Sequence, residues 1–164
     1  MQLILVSACL LGQPVRYDGT AKQREDRILR RWRVEGRLVS FCPEVAGGLP
    51  VPRPPVEISS ASNAVGGRAG PLVVRTAGGT DVTQFFVRGA EATLAAARRH
   101  GVQMAVLKEG SPSCGSHRIY DGTFSGRSVP GSGVTTALLE QHGIRVFSED
   151  NLNEAIVYLC GLER

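Results

Sequence analysis

No apolar stretch in this chain approaches the roughly 20 residues that a bilayer-spanning helix needs, so no membrane span is expected. No basic segment precedes the apolar opening Leu3-Ile4-Leu5-Val6, and Ser7 and Cys9 interrupt it at strand length. Residues 1–11 therefore read as a first strand of a cytoplasmic protein and not as a secretory leader. Cysteines in close C-x-x-C pairs are missing, and such pairs usually supply a closed structural zinc site. Nitrogen ligands are scarce, with only His100, His117 and His142. His100 and His142 fall at predicted helix ends, where a cation suits the dipole. His117 lies near Cys114 and stays open as a ligand. Nothing matches a known nucleic-acid module.

What is present is one ordinary domain's length, 164 residues, with 42% hydrophobic and 21% charged residues and a mean hydropathy of −0.04. That is enough apolar material for a core in a globular chain. We expect a single domain spanning 1–164. The net charge of +4 is mild. Arg24, Arg27, Arg30, Arg31 and Arg33 supply much of it, and they read either as a solvated helix face or as a surface for anionic ligands such as nucleotides or RNA.

The pattern alternates short apolar runs with helical stretches, which predicts an α/β fold. We expect a three-layer sandwich with a mainly parallel sheet and a Pro/Gly-rich hairpin excursion. Strands are predicted at 2–7, 38–41, 103–107 and 144–147. Helices are predicted at about 23–34, 81–100 and 134–142, with a last helix after Asp150 or Asn151. Asp81 and Gln84 have capping-box spacing. Pro43, Pro50, Pro52, Pro54 and Pro55 make 43–55 a stiff extended connection without a helix. Val56-Glu57-Ile58 and Leu72-Val73-Val74-Arg75-Thr76 read as a hairpin, joined by a loop holding Gly66, Gly67 and Gly70. That excursion could serve as a lid or a homodimer contact.

Three of the four cysteines end predicted strands. Leu3-Ile4-Leu5-Val6 leads to Cys9, Leu38-Val39-Ser40-Phe41 to Cys42, and Met104-Ala105-Val106-Leu107 to Cys114. If those strands are parallel neighbours, the thiols converge at the carboxyl edge of the sheet, where α/β folds display chemistry. Cys160 lies among apolar residues at helical spacing and is expected to be buried. Three thiolates without a fourth leave one position of a metal site open, which is a mark of catalysis. A thiol-based redox or nucleophilic site and simple burial remain as alternatives. Glu44 beside Cys42, and Lys108, Glu109, Ser111 and Ser113 before Cys114, are groups suited to proton transfer. Tyr17-Asp18-Gly19-Thr20 recurs as Tyr120-Asp121-Gly122-Thr123. Each copy follows a strand-end cysteine, so the two loops are expected to flank one pocket.

Several blocks resemble one family throughout the chain and in order. They include Ser7-Ala8-Cys9-Leu10-Leu11-Gly12, Cys42-Pro43-Glu44-Val45-Ala46-Gly47-Gly48-Leu49, Pro52-Arg53, Ser111-Pro112-Ser113-Cys114-Gly115 and Ile119-Tyr120-Asp121-Gly122. They look like the signature of the TudS-type thiouracil desulfidases. The resemblance implies a [4Fe-4S] cluster held by Cys9, Cys42 and Cys114, with the fourth iron open to a thione sulfur. It implies non-redox hydrolysis of 2- or 4-thiouracil, or of a thiouridine nucleotide, to uracil or its nucleotide and hydrosulfide. Thiolated tRNA stands as a further candidate substrate that no feature of the sequence indicates. The acid/base glutamate matches Glu44, and the active serine matches Ser111, with Ser113 as the other candidate. Arg16, Tyr17 and Tyr120, with Lys108 and Ser113, are the candidates to bind substrate. Two other classes stand beside this one: a nucleotide- or RNA-binding module with buried cysteines, and a zinc hydrolase using three thiolates and water.

Overall fold

The computed structural model of the protein describes residues 1–59 and 71–164. Its centre is a four-stranded sheet of β1 (Ile4–Ser7), β2 (Leu38–Phe41), β5 (Met104–Leu107) and β8 (Arg145–Ser148). The order across the sheet is β2-β1-β5-β8, and every pairing is parallel. β1 and β5 are buried throughout. A parallel strand covered on both faces can afford a continuous apolar run, which is why ILVS and MAVL show no alternation.

Successive side chains still leave the sheet on opposite faces. Ile4, Val6, Met104, Val106 and Phe147 pack on one side with Leu29 and Trp32 of α1 (Arg27–Val34) and Leu152, Ala155 and Leu159 of α5 (Leu152–Leu162). Leu5, Ala105, Leu107 and Val146 pack on the other, with Leu94 and Ala97 of α3 (Thr83–Arg99) and Leu139 of α4 (Val134–Gln141). The result is the expected three-layer α/β sandwich.

Two antiparallel ribbons lie outside the main sheet. β3 (Val56–Ile58) pairs with β4 (Val74–Thr76), the predicted hairpin excursion, and it packs through Ile58 and Val74 onto Val82, Phe86 and Ala90. The predicted glycine loop at 66, 67 and 70 lies outside the described residues. β6 (Arg118–Tyr120) pairs with β7 (Ser128–Pro130), a ribbon that the sequence pattern did not predict because each arm is only three residues.

Local expectations fail in four places, each for a physical reason. α1 begins at Arg27, because the Asp26 carboxylate accepts the Ile28 N–H at 2.7 Å and caps the helix there. A short helix, α2 (Pro43–Ala46), interrupts the proline-rich connection. Pro43 takes the first helical position, where a missing N–H costs nothing. Asp81 accepts the N–H of Thr83 at 2.9 Å and its hydroxyl at 2.6 Å, whereas Gln84 pairs with Arg88 and closes no capping box. Cys160 is exposed. The buried stripe of α5 runs through Leu152, Ala155 and Leu159, and Cys160 sits one 100° step beyond it, on the side of exposed Val157.

Among the described residues, no helix is long and apolar enough to cross a membrane.

Candidate active site

The chain runs from β1 outward to β2 and then returns to β5 on the other side of β1. At such a reversal the loops leaving the strand ends diverge and leave a crevice. Cys9, Cys42 and Cys114 follow β1, β2 and β5, three adjacent strands, and all three line one cavity of about 610 Å³. Cys9 lies in the 3-10 turn Ala8–Leu11, whose carbonyls fold the next loop back: the Cys9 carbonyl accepts the N–H of Gly12 and of Lys22. Cys42 forms the N-cap of α2. Cys114 is held in a loop whose main chain is stitched to the start of α4. Val134, Thr135 and Thr136 donate their N–H groups to Pro112 and Ser113 carbonyls, and the Thr136 hydroxyl donates to the Cys114 carbonyl at 2.9 Å.

The thiols are shielded and mutually sensitive. Burial pushes Cys9 up to about 11, reinforced by the neighbouring Cys42. Burial pushes Cys114 up to about 12, against hydrogen bonds from Ser7 and Ser113 that favour the thiolate. Cys42 is raised as well, again chiefly by burial. Protonated soft donors gathered in a partly dry cavity shed their protons when a metal group binds. Among the described residues, no three or more His, Cys, Asp or Glu side chains are gathered tightly enough to hold a metal ion. The three thiols share one cavity, and an all-sulfur donor set suits iron–sulfur chemistry better than a closed zinc site, which would need a fourth ligand. His117 joins neither arrangement: its Nδ1 lies 2.9 Å from Glu109 Oε2, and it does not line the cavity.

Beside the thiols runs a chain of polar groups. The Ser113 hydroxyl donates to Glu44 Oε2 at 2.8 Å, and Ser111 Oγ lies 2.9 Å from Ser113 Oγ. Ser111 Oγ also accepts the N–H groups of Ser113 and Cys114, each at 3.2 Å. Its own proton is thereby directed to Ser113, and the order runs Ser111, Ser113, Glu44. On the far side of Glu44, Arg53 Nη2 reaches Oε1 at 3.3 Å. The Ser7 hydroxyl at the end of β1 accepts the N–H of Lys108 at 2.9 Å and approaches Cys114 Sγ at 3.5 Å, so adjacent strand ends are tied together.

Arg16, Tyr17, Glu44, Lys108, Ser111, Ser113 and Tyr120 all line this cavity beside the three cysteines. The two Tyr-Asp-Gly-Thr loops do flank one pocket, and they share a turn. Asp18 accepts the N–H and hydroxyl of Thr20, as Asp121 does from Thr123. Lys108 reaches the cavity with its charge already partnered, since its Nζ lies 2.7 Å from Glu149 Oε1 and 2.9 Å from the Glu109 carbonyl.

Sequence reasoning assigned no role in the site to Arg53 or Glu149, which act by holding Glu44 and Lys108. Glu109, a sequence candidate for proton transfer, is instead saturated as an acceptor. It takes N–H bonds from Gly110, Ser116, His117 and Arg118, and a hydroxyl from Ser116. Burial would raise its carboxyl, yet the bond from His117 and the backbone donors together hold it down at about 2. A surplus of charged acidic residues at a loop's base is a weak signal in sequence, because solvated and templating carboxylates look alike.

The family model for 2-thiouracil desulfurase matches residues 4–151. The uncharacterized protein YbbK of Bacillus subtilis (strain 168) is 45% identical over 156 residues, covering 94% of this chain and all of that protein. A solved structure described as the [4Fe-4S]-dependent thiouracil desulfidase TudS superposes with a TM-score of 0.88 at 54% identity, covering 98% of this chain and 99% of that one.

Proposed function

Because the chain belongs to the 2-thiouracil desulfurase family, we propose that it is a [4Fe-4S]-dependent desulfidase, removing sulfur from a thiolated pyrimidine by hydrolysis without net redox change. Cys9, Cys42 and Cys114 would hold the cluster, three thiolates from three neighbouring strand ends. When bound, the cluster supplies a soft Lewis acid that polarises the C=S bond and accepts the leaving sulfur. The convergence of those three thiols on the cavity that also holds Glu44 is the observation that carries this reading.

The chain's own groups supply the proton chemistry. Glu44 takes a proton from water as it attacks the thione carbon. Ser113, bonded to Glu44 Oε2, and Ser111 behind it give that proton a short path back toward the departing sulfur or the ring nitrogen. Ser113 touches Glu44 directly, and Ser111 acts one bond further out. Tyr17 and Tyr120 approach from the two repeated loops and can sandwich or edge-contact a flat ring. Lys108, its charge partly neutralised by Glu149, retains donor capacity toward a pyrimidine oxygen.

The cavity is ample for a free base, and Arg16, Lys22 and Arg118 line it. That supports a thiouridine nucleotide, with its phosphate on the cationic groups, as a substrate alongside thiouracil. Four free cysteines suit a reducing compartment, which supports a cytoplasmic location.

Anaerobic reconstitution with iron and sulfide, followed by assay of sulfide release from thiouracil and thiouridine monophosphate, tests the proposal. Brown protein containing iron and releasing sulfide supports it. Colourless protein binding zinc in preference to iron, or iron-loaded protein inert toward every thiopyrimidine, overturns it.

A further inference from the structure

Arg53 lines the cavity yet is almost completely buried, with only 4% of its side chain exposed. A buried guanidinium is tolerated only when its donors are matched. Here Nη1 donates to the Pro50 carbonyl at 3.1 Å and Nη2 to the Val15 carbonyl at 3.0 Å. Those two acceptors are main chain from different segments, so the guanidinium plane is set by the fold and not by its ionic partner. The remaining donors meet one atom: Nε and Nη2 both lie 3.3 Å from Glu44 Oε1. Its backbone N–H also donates to the Tyr17 carbonyl at 2.6 Å. Arg53 thus joins the loop after Cys9, the Pro50 turn and the helix carrying Glu44.

The consequence falls on one carboxylate oxygen. With Oε1 occupied by a rigid fork, Oε2 is the oxygen left for Ser113 and the cavity. A lysine could supply the charge, but not two donors in one plane with both carbonyls satisfied. Resting on the desulfidase reading, we propose that Arg53 is a positioning residue for the hydrolytic step. It presents Oε2 of Glu44 to Ser113 and to the water that Glu44 deprotonates.

The test uses Arg53→Met, Arg53→Lys and Arg53→Ala, together with Glu44→Gln and the Arg53→Met/Glu44→Gln pair, each reconstituted anaerobically. Iron per chain and the unfolding midpoint are measured beside kcat and KM. Iron content is expected to match wild type. Misplacing a reacting group by about 1 Å can cost about 100-fold in rate, so kcat of Arg53→Met is expected to fall by about that factor while KM moves less than about threefold. Arg53→Lys should recover part of the loss. Added guanidinium should raise the rate of Arg53→Ala, since the vacated site borders the cavity. In the Glu44→Gln background, Arg53→Met should cost little more, because coupled residues are not additive. A crystal structure of metal-free Arg53→Met should show Glu44 turned from Ser113.

Unchanged kcat in Arg53→Met overturns the inference, as does an equal loss with and without the Glu44 carboxylate. Loss of iron in Arg53→Met and Arg53→Lys alike would assign Arg53 to the fold and also overturn it. Iron-loaded wild type that releases no sulfide overturns the desulfidase reading, and this inference with it. An active wild type beside an indifferent Arg53→Met removes only the role of Arg53.

Discussion

Gly47 and Gly89 meet where the short helix carrying Glu44 crosses α3. A Cβ built on Gly47 would lie 2.1 Å from the Phe85 carbonyl oxygen, and one built on Gly89 would lie 2.1 Å from that of Pro43. Both obstructions are backbone, so neither can swing aside. This contact fixes how closely α2, which carries Glu44, approaches α3.

Gly89→Ala should therefore act at a distance. Overpacking of this kind costs about 1–3 kcal/mol, and the expected outcome is a lower unfolding midpoint together with a loss of sulfide release larger than the loss of folded protein. Denaturation by urea and the assay per mole of bound iron separate the two. Equal losses in both would show that the crossing supports the fold alone.

The thiols divide three against one. Cys9→Ala, Cys42→Ala and Cys114→Ala should each bind substoichiometric iron and lose sulfide release. Cys160→Ala, on the exposed face of α5, should keep both and stay within about 0.5 kcal/mol of wild-type stability. Iron analysis and visible absorption on anaerobic protein give the result.

Glu109 predicts an acid limb of stability in the metal-free chain. Its carboxyl is held at about 2 in the fold, by His117 and the backbone donors overcoming burial, against an ordinary value near 4.5. The folded state therefore binds its proton more weakly than the unfolded state. The stability that it adds is complete above the ordinary value and drains away as the pH falls toward about 2. Glu109→Gln should lower stability near neutrality and flatten this limb. Urea midpoints compared between the two proteins from neutral pH downward will show whether the slopes differ.

Arg16 should distinguish substrates. It lines the cavity, and its guanidinium lies 5.6 Å from the centre of the Tyr17 ring. If a phosphate rests there, Arg16→Ala should raise KM for thiouridine monophosphate about tenfold, equivalent to about 1.4 kcal/mol, and leave KM for thiouracil nearly unchanged. Parallel changes for both substrates would move Arg16 from phosphate binding to loop support.

Much of the fold was legible because its signals are local. Met104-Ala105-Val106-Leu107 is apolar without a break because β5 is covered on both faces, and Gly36, at φ +72, ends α1 as a helix-stopping glycine should. The boundaries that slipped were set by a single side chain, Asp26, or by one proline well suited to start a helix, Pro43. β6 and β7 escaped notice because three-residue arms carry almost no periodicity.

By itself the sequence determined which residues end each strand, and so where along the chain the three thiols, Glu44 and the repeated Tyr-Asp-Gly-Thr turns are presented. Those are consequences of covalent neighbours, since strand, turn and cap depend on a few consecutive side chains. Only the tertiary structure decided that β2, β1 and β5 lie side by side, that Arg53 closes on Glu44 from nine residues away, that Glu149 reaches Lys108 across the sheet edge, and that Cys160 faces outward. Those partnerships join segments whose separation in sequence says nothing of their distance in space, and packing of the two helical layers on the sheet brings them together.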